Sequence, residues 1–198
     1  ILYNCNINII LYIYMRTLKE IIATPLSDSD LEKFLGPDVQ NNIITYADLA
    51  DYQDLEQLLP YDKAYKIILI EYEQNSGHWT CILRYGKIIE IFNSFGTKHK
   101  QDDFVDSKEL NKYLGQSSLY LNGLIKKEID DGIFTLIYNK IRFQKKSVHI
   151  NTCGRHCVNR IICLLHYDMT LKRYVKFMSK AEKKTKLNDD ELVSMIIS

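Results

Sequence analysis

Two residues with the chemistry of a nucleophile and a base, Cys153 and His78, stand in contexts that can bring them together. Cys153 lies in His-Ile-Asn-Thr-Cys-Gly-Arg-His-Cys, where the pattern predicts a loop passing into a helix. A thiol at a helix N-terminus faces unpaired backbone N–H groups and the positive end of the helix dipole. Both favour the thiolate, the form that attacks a carbonyl. Gly154 beside it leaves room for a substrate backbone to approach. His78 sits in Asn-Ser-Gly-His-Trp, at the start of a predicted strand over residues 79–85, so a rigid element holds the base. Trp79 either walls such a site or belongs to the core. Asn93, in Ile-Phe-Asn-Ser-Phe-Gly, follows the next predicted strand, and the two strands form a hairpin. The residue before one strand and the residue after the other then share an end of the sheet. There the Asn93 side-chain carbonyl is placed to orient the imidazole.

The elements that must position these residues follow from the changes of period along the chain. Residues 65–72, 79–85 and 87–92 are short runs rich in Ile and aromatics, with a tight turn over residues 84–87, and they predict a meander of about three strands. The first third holds all three prolines and reads as short helices joined by turns: one over residues 26–36, stopped by Gly36-Pro37, and one over 51–59. Residues 106–127 read as helical and a strand is expected within 133–143. From Gly154 onward Cys157, Val158, Ile161, Ile162, Leu164 and Leu165 recur at helical spacing, and two short helices close the chain. The expected fold class is α+β: an antiparallel or mixed sheet packed on a buried helix that carries Cys153 at its N-terminus.

Composition narrows the function classes. Of the 198 residues, 46% are hydrophobic and 26% charged, the balance of an ordinary globular domain. Lys and Arg number 26 against 25 Asp and Glu, so no global basic field recruits nucleic acid. No run of 18 apolar residues predicts a membrane span. The five cysteines (Cys5, Cys81, Cys153, Cys157, Cys163) are odd in number, and three are crowded together, which fits free thiols in a reducing compartment better than a disulfide framework. Cys81, Cys157 and Cys163 read as core. Residues 1–14 carry no charge and precede Met15. They are expected to be an upstream extension, with an extra strand as the alternative, and residues 15–198 form a single domain: a helical leader (15–64), a catalytic core (65–166) and C-terminal helices (167–198).

His78-Trp79, a hairpin, Phe92-Asn93-Ser94-Phe95-Gly96 and then Cys153-Gly154 opening a helix resemble the adenain-type cysteine proteases, which share a fold with the SUMO and ubiquitin-like-protein peptidases. The likeness spans roughly residues 65–166. The segment 26–59 is similar to the leader of maturation proteases of large DNA viruses, virophages and Maverick/Polinton-type elements. The chain order His, Asn, Cys distinguishes the pattern from papain-like enzymes.

The resemblance implies a thiol endopeptidase with Cys153 as nucleophile, His78 as base and Asn93 as its orienting partner, in the place that is an acid in many relatives. It also implies a Gln before the nucleophile whose amide completes the oxyanion hole. Gln144 is the nearest, nine residues upstream, a wider gap than the family pattern, and Asn151 is the alternative donor. No cofactor or metal is implied. The expected substrates are viral structural precursors cut at Gly-containing sites in the host cytoplasm or nucleus, or in the virion. A monomer is expected, with no membrane partner; an activating peptide or DNA is left open. Two alternatives stand beside this reading: an isopeptidase of SUMO or ubiquitin-like modifiers, and a zinc-binding module built on His149, Cys153, His156 and Cys157. Arg155 and His156 are expected on the helix surface, or else along the cleft, and residues 181–186 as a solvated basic loop.

Overall fold

In a computed structural model of the chain, residues 17–96, 108–117 and 119–198 are described. The questions raised by residues 1–14, and by the start of the segment expected to be helical from residue 106, lie outside these residues. The described part is α+β, as its periodicities require. Its sheet has five strands in the order β1-β2-β3-β4-β5: β1 (Ile43–Thr45), β2 (Tyr65–Glu73), β3 (Ser76–Tyr85), β4 (Ile88–Phe92) and β5 (Thr135–Tyr138). The predicted meander is β2 to β4. Both edges are parallel additions, β1 on β2 and β5 on β4, so the sheet is mixed.

Strand β1 has only three residues and no long hydrophobic alternation, so it left no sequence signal. The strand expected within 133–143 shortens to β5, because Asn139 turns its side chain to the backbone of Asn93 and Ile141 and ends the ladder. The helix expected over 51–59 divides into a 3-10 turn (Ala47–Asp51) and a short helix, α2 (Leu55–Leu58), capped by Asp54. Helix α1 (Asp28–Leu35) follows a Ser27/Asp30 capping box and stops at Gly36, as expected. The helical middle resolves into α3 (Lys108–Tyr113) and α4 (Leu119–Asp130).

Alternation along the central strands sends one set of side chains to each face. Ile67, Leu69, Trp79, Cys81, Leu83 and Phe92 pack with α5 (Cys153–Tyr167), α6 (Leu171–Thr185) and α7 (Asp189–Ile196). Ile68, Ile70, Ile82, Ile89 and Ile91 pack under α2 and α4 on the other face. Helix α5 is buried nearly all round, and Cys81, Cys157 and Cys163 are core residues with free thiols, as expected. Helix α6 is a full 15 residues, not short. The basic segment at 181–186 is its exposed last turn, not a loop.

One polar interaction crosses the core between α5 and the sheet. Arg160 donates from Nε and Nη2 to the two carboxylate oxygens of Glu90 on β4, at 2.7 and 2.6 Å, with both side chains fully buried. Tyr85 Oη adds a third bond to Glu90 at 2.8 Å, and the guanidinium lies 5.3 Å from the Tyr174 ring centroid. A fork-to-fork pair of this kind fixes the rotation and height of α5 on the sheet. Arg160→Met leaves Glu90 charged and unpaired in the core, and should destabilise the fold by about 3–5 kcal/mol. Urea unfolding checks this. The double variant Arg160→Met/Glu90→Met should recover most of the loss, and a loss that stays additive would refute the pairing argument.

Candidate functional site

The N-terminus of α5 meets β3 at very close range, and this contact brings the sequence motifs together. A Cβ placed on Gly154 would lie 3.2 Å from Trp79 Cδ1 and 3.1 Å from Leu26 Cβ, so glycine lets the first helical turn sit this close to the strand without moving either side chain. Cys153 is the first residue of α5, and the backbone N–H groups of Trp79, Gly154 and Cys153 itself act to lower its thiol pKa. Cys153 is 6% exposed and lines a cleft of about 610 Å³, together with Leu26, Leu69, Gly77, Trp79 and Asn151 among others.

His78 and Asn93 are directly bonded. His78 Nε2 lies 2.9 Å from Asn93 Oδ1. The same oxygen accepts the Phe95 N–H at 2.9 Å, and since that backbone group can only donate, the oxygen assignment of the amide follows. Nε2 must therefore carry the proton, which leaves Nδ1 as the basic nitrogen of the neutral ring. The ring also stacks on Phe95, with centroids 4.4 Å apart and planes 12° from parallel.

The turn that follows β4 holds Asn93 from behind. Asn93 N–H donates to Asn139 Oδ1 at 2.8 Å, and Asn139 Nδ2 returns a bond to the Asn93 carbonyl at 2.6 Å. Gly96, at φ 71°, closes the turn with its N–H on the Asn93 carbonyl, and a Cβ there would meet the Ile141 backbone at 2.9 Å. Ser94 reaches the other way. Its Oγ donates to Gln144 Oε1 at 2.7 Å and its carbonyl receives the N–H groups of Phe143 and Gln144. Gln144 is thereby buried and fixed, with Nε2 donating to the Ile150 carbonyl at 3.0 Å and a second N–H on the same nitrogen. Asn151 is committed elsewhere: its Nδ2 bonds the Ala23 carbonyl at 2.7 Å and its N–H bonds that of Ile22, so it anchors the leader.

Two expectations are corrected. Arg155 and His156 are buried, not on the helix surface. Arg155 donates to the carbonyls of Ile197 (3.1 Å) and Thr24 (2.6 Å), tying the residue after α7 and the segment before α1 to α5, and His156 faces Asp190. The thiolate expected from the helix N-terminus is also not the resting form. Burial pushes the Cys153 thiol above its ordinary value, outweighing the three N–H groups and the nearby Arg155 charge. Burial likewise takes His78 down to about 4, against the raising effect of the Asn93 bond, with His156 and Lys146 adding to the fall. The resting pair is neutral thiol and neutral imidazole. No group of three His, Cys, Asp or Glu among the described residues could hold a metal ion, and His149 is exposed whereas Cys157 is fully buried, which argues against the zinc module.

Sequence reasoning missed Ser94, Asn139, Thr152 and Asp190. Of these only Ser94 carried a signal, its place inside Phe-Asn-Ser-Phe-Gly. The others are polar residues whose meaning lies in long-range partners.

Fold and site together define an α+β protein with a buried Cys at the N-terminus of a helix that packs on β3, the strand that carries the His of a buried His–Asn pair. No family model matches the chain. It belongs to the same family as the protein of the Sputnik virophage named uncharacterized protein V9, to which it is 34% identical over 185 residues, 92% of this chain and 99% of the relative. Among solved structures it is similar to the SUMO protease Ulp1 with its catalytic cysteine oxidized to a sulfinic acid. That likeness is loose, at 14% identity and a TM-score of 0.41, over 87% of this chain and 78% of the other, and carries no residue roles across. No helix among the described residues is long and apolar enough to cross a membrane.

The His78 shift has a measurable sign. The unfolded ring titrates near 6.5 and the folded ring near 4, so between these values the unfolded chain binds more protons. Stability should fall as pH drops from 6.5 toward 4, by about 3 kcal/mol from this residue, and buried His156 acts in the same direction. Calorimetric melting across that range should show a shallower pH slope in His78→Gln than in the native chain. An unchanged slope would contradict the buried neutral ring.

Proposed function

We propose that this protein is a cysteine endopeptidase using Cys153, His78 and Asn93, with the Cys153 N–H and Gln144 forming the oxyanion hole. The observation that carries the reading is the Nε2–H tautomer of His78, fixed by Asn93, which makes Nδ1 the basic nitrogen, on the strand whose next residue, Trp79, packs against the helix start at Gly154.

The proposed reaction starts from the neutral pair. Nδ1 takes the Cys153 proton as the sulfur attacks the scissile carbonyl, and the resulting oxyanion draws on the Cys153 N–H and the second N–H of Gln144 Nε2. The imidazolium then gives the proton from Nδ1 to the leaving amine as the C–N bond breaks, leaving a thioester. Water attacks the thioester with Nδ1 as base, the C–S bond breaks, and the proton returns to sulfur as the acid is released. Asn93 fixes the tautomer but adds no negative charge to support the imidazolium. Leu26 and Trp79 crowd the helix start, which supports small residues, Gly above all, before the cut. Membership of a virophage family supports viral structural precursors as the substrates.

Hydrolysis of a panel of Gly-containing peptides, beside a SUMO or ubiquitin-like modifier with a C-terminal extension, tests this reading. Peptide cleavage supports it, cleavage of the modifier alone redirects it to the isopeptidase, and neither would refute it. Cys153→Ala should abolish turnover, and His78→Ala should lower kcat/KM by about 10²–10⁴-fold. Asn93→Ala should keep measurable activity. Asn93→Asp should equal or exceed the native enzyme, because Asn93 Nδ2 is buried without a partner and only the Oδ1 bonds need replacing. The acid limb of kcat/KM should fall nearer pH 4 than 6.5.

A further inference from the structure

The loop between Gln144 and Cys153 is longer than the resemblance leads one to expect, yet both ends are held by one carboxylate. Asp190, in the first turn of α7, is 2% exposed and accepts three bonds from three different places in the chain. Oδ2 takes the N–H of Lys145, the residue after Gln144, at 3.1 Å. Oδ1 takes the hydroxyl of Thr152, the residue before Cys153, at 2.5 Å, and faces His156 Nε2 at 3.4 Å. Thr152 is the N-cap residue of α5, but its side chain makes no capping bond to the helix because it is turned toward Asp190. Helix α7 is itself fixed by a capping box between Asn188 and Glu191, which sets the height of Asp190. Burial alone would make this carboxylate easier to protonate, but the bonds from His156, Thr152 and Lys145 outweigh it and keep it ionised.

We infer that Asp190 is a positioning residue for the oxyanion hole: by bonding Lys145 N–H and the Thr152 hydroxyl, it sets the distance between the Gln144 amide and the Cys153 N–H. This rests on the proposed peptidase reading. Asp190 touches neither thiol nor substrate and acts only through the residues flanking the two donors. Its effect therefore belongs to the transition state, where the oxyanion forms, and not to substrate binding. The C-terminal helix thus becomes part of the working site without contributing an atom to it.

Three variants test the inference. Asp190→Asn keeps size but replaces one acceptor by an N–H₂ group, which faces either the Lys145 N–H or the Thr152 hydroxyl. Thr152→Val removes the hydroxyl at nearly constant volume, and Thr152→Ser restores it. Melting temperature and the rate of Cys153 alkylation by iodoacetamide control for folding and for the nucleophile. With peptide substrate, Asp190→Asn and Thr152→Val should each lower kcat about tenfold or more, with KM and the alkylation rate within about twofold of the native enzyme, and Thr152→Ser should recover most of the loss. Native kcat in folded Asp190→Asn or Thr152→Val would overturn the inference while leaving the peptidase reading intact, as would a fall in kcat matched by an equal fall in alkylation. Absence of peptidase activity in the native chain would overturn both.

Discussion

Everything in the site depends on how closely the first turn of α5 approaches β3. Gly154 favours the approach, since a methyl group there would press on both Trp79 and Leu26. The approach also needs the helix held in one rotation along its length, which the buried Arg160–Glu90 pair does from two turns away. Removing either partner leaves a charge in the core, and a slide or rotation of α5 would break both directed Arg160 bonds to Glu90 at once. The pair therefore acts less as a source of stability than as a register lock. With it in place, Trp79, the residue after His78, packs against the helix start beside Cys153.

The turn after β4 is the second fixed point, and five consecutive residues share the work. Phe92 ends the strand in the core, Asn93 bonds His78, Ser94 holds Gln144, Phe95 stacks on the imidazole, and Gly96 makes the turn possible at positive φ. The proposed base, its orienting partner and the amide proposed for the oxyanion hole are thus referred to one short piece of backbone. That backbone is pinned in turn by the reciprocal bonds with Asn139. Burial of the cluster has a chemical consequence. It keeps both thiol and ring uncharged at rest, so the proposed reaction separates charge only when substrate arrives with an oxygen to take it.

Much of this was readable from residue types and spacing, because the relevant signals are local. The hairpin of β3 and β4, the amphipathic period of α5 and the Gly-Pro stop after α1 are written in adjacent residues, and the hairpin alone puts His78 and Asn93 at one end of the sheet. Burial of Arg155, His156 and Arg160 was not readable, since charged residues inside a helix start ordinarily mark its solvent face. Their partners are Ile197, Thr24, Asp190 and Glu90, all distant in the chain. The parallel edge strands β1 and β5 were weak for the same reason: three- and four-residue strands depend on the sheet they join. The protonation state was also hidden, because a helix N-terminus lowers a thiol pKa only where burial does not outweigh it.

The measurement closest to the central claim is covalent trapping with a short peptide ending in glycine and bearing a thiol-reactive group in place of the scissile bond, read by intact mass and peptide mapping. The account predicts one adduct, on Cys153 and not on the other cysteines, formed quickly in the native protein and greatly slowed in His78→Ala. Labelling spread over several cysteines, or labelling of Cys153 at the same rate without His78, would contradict it.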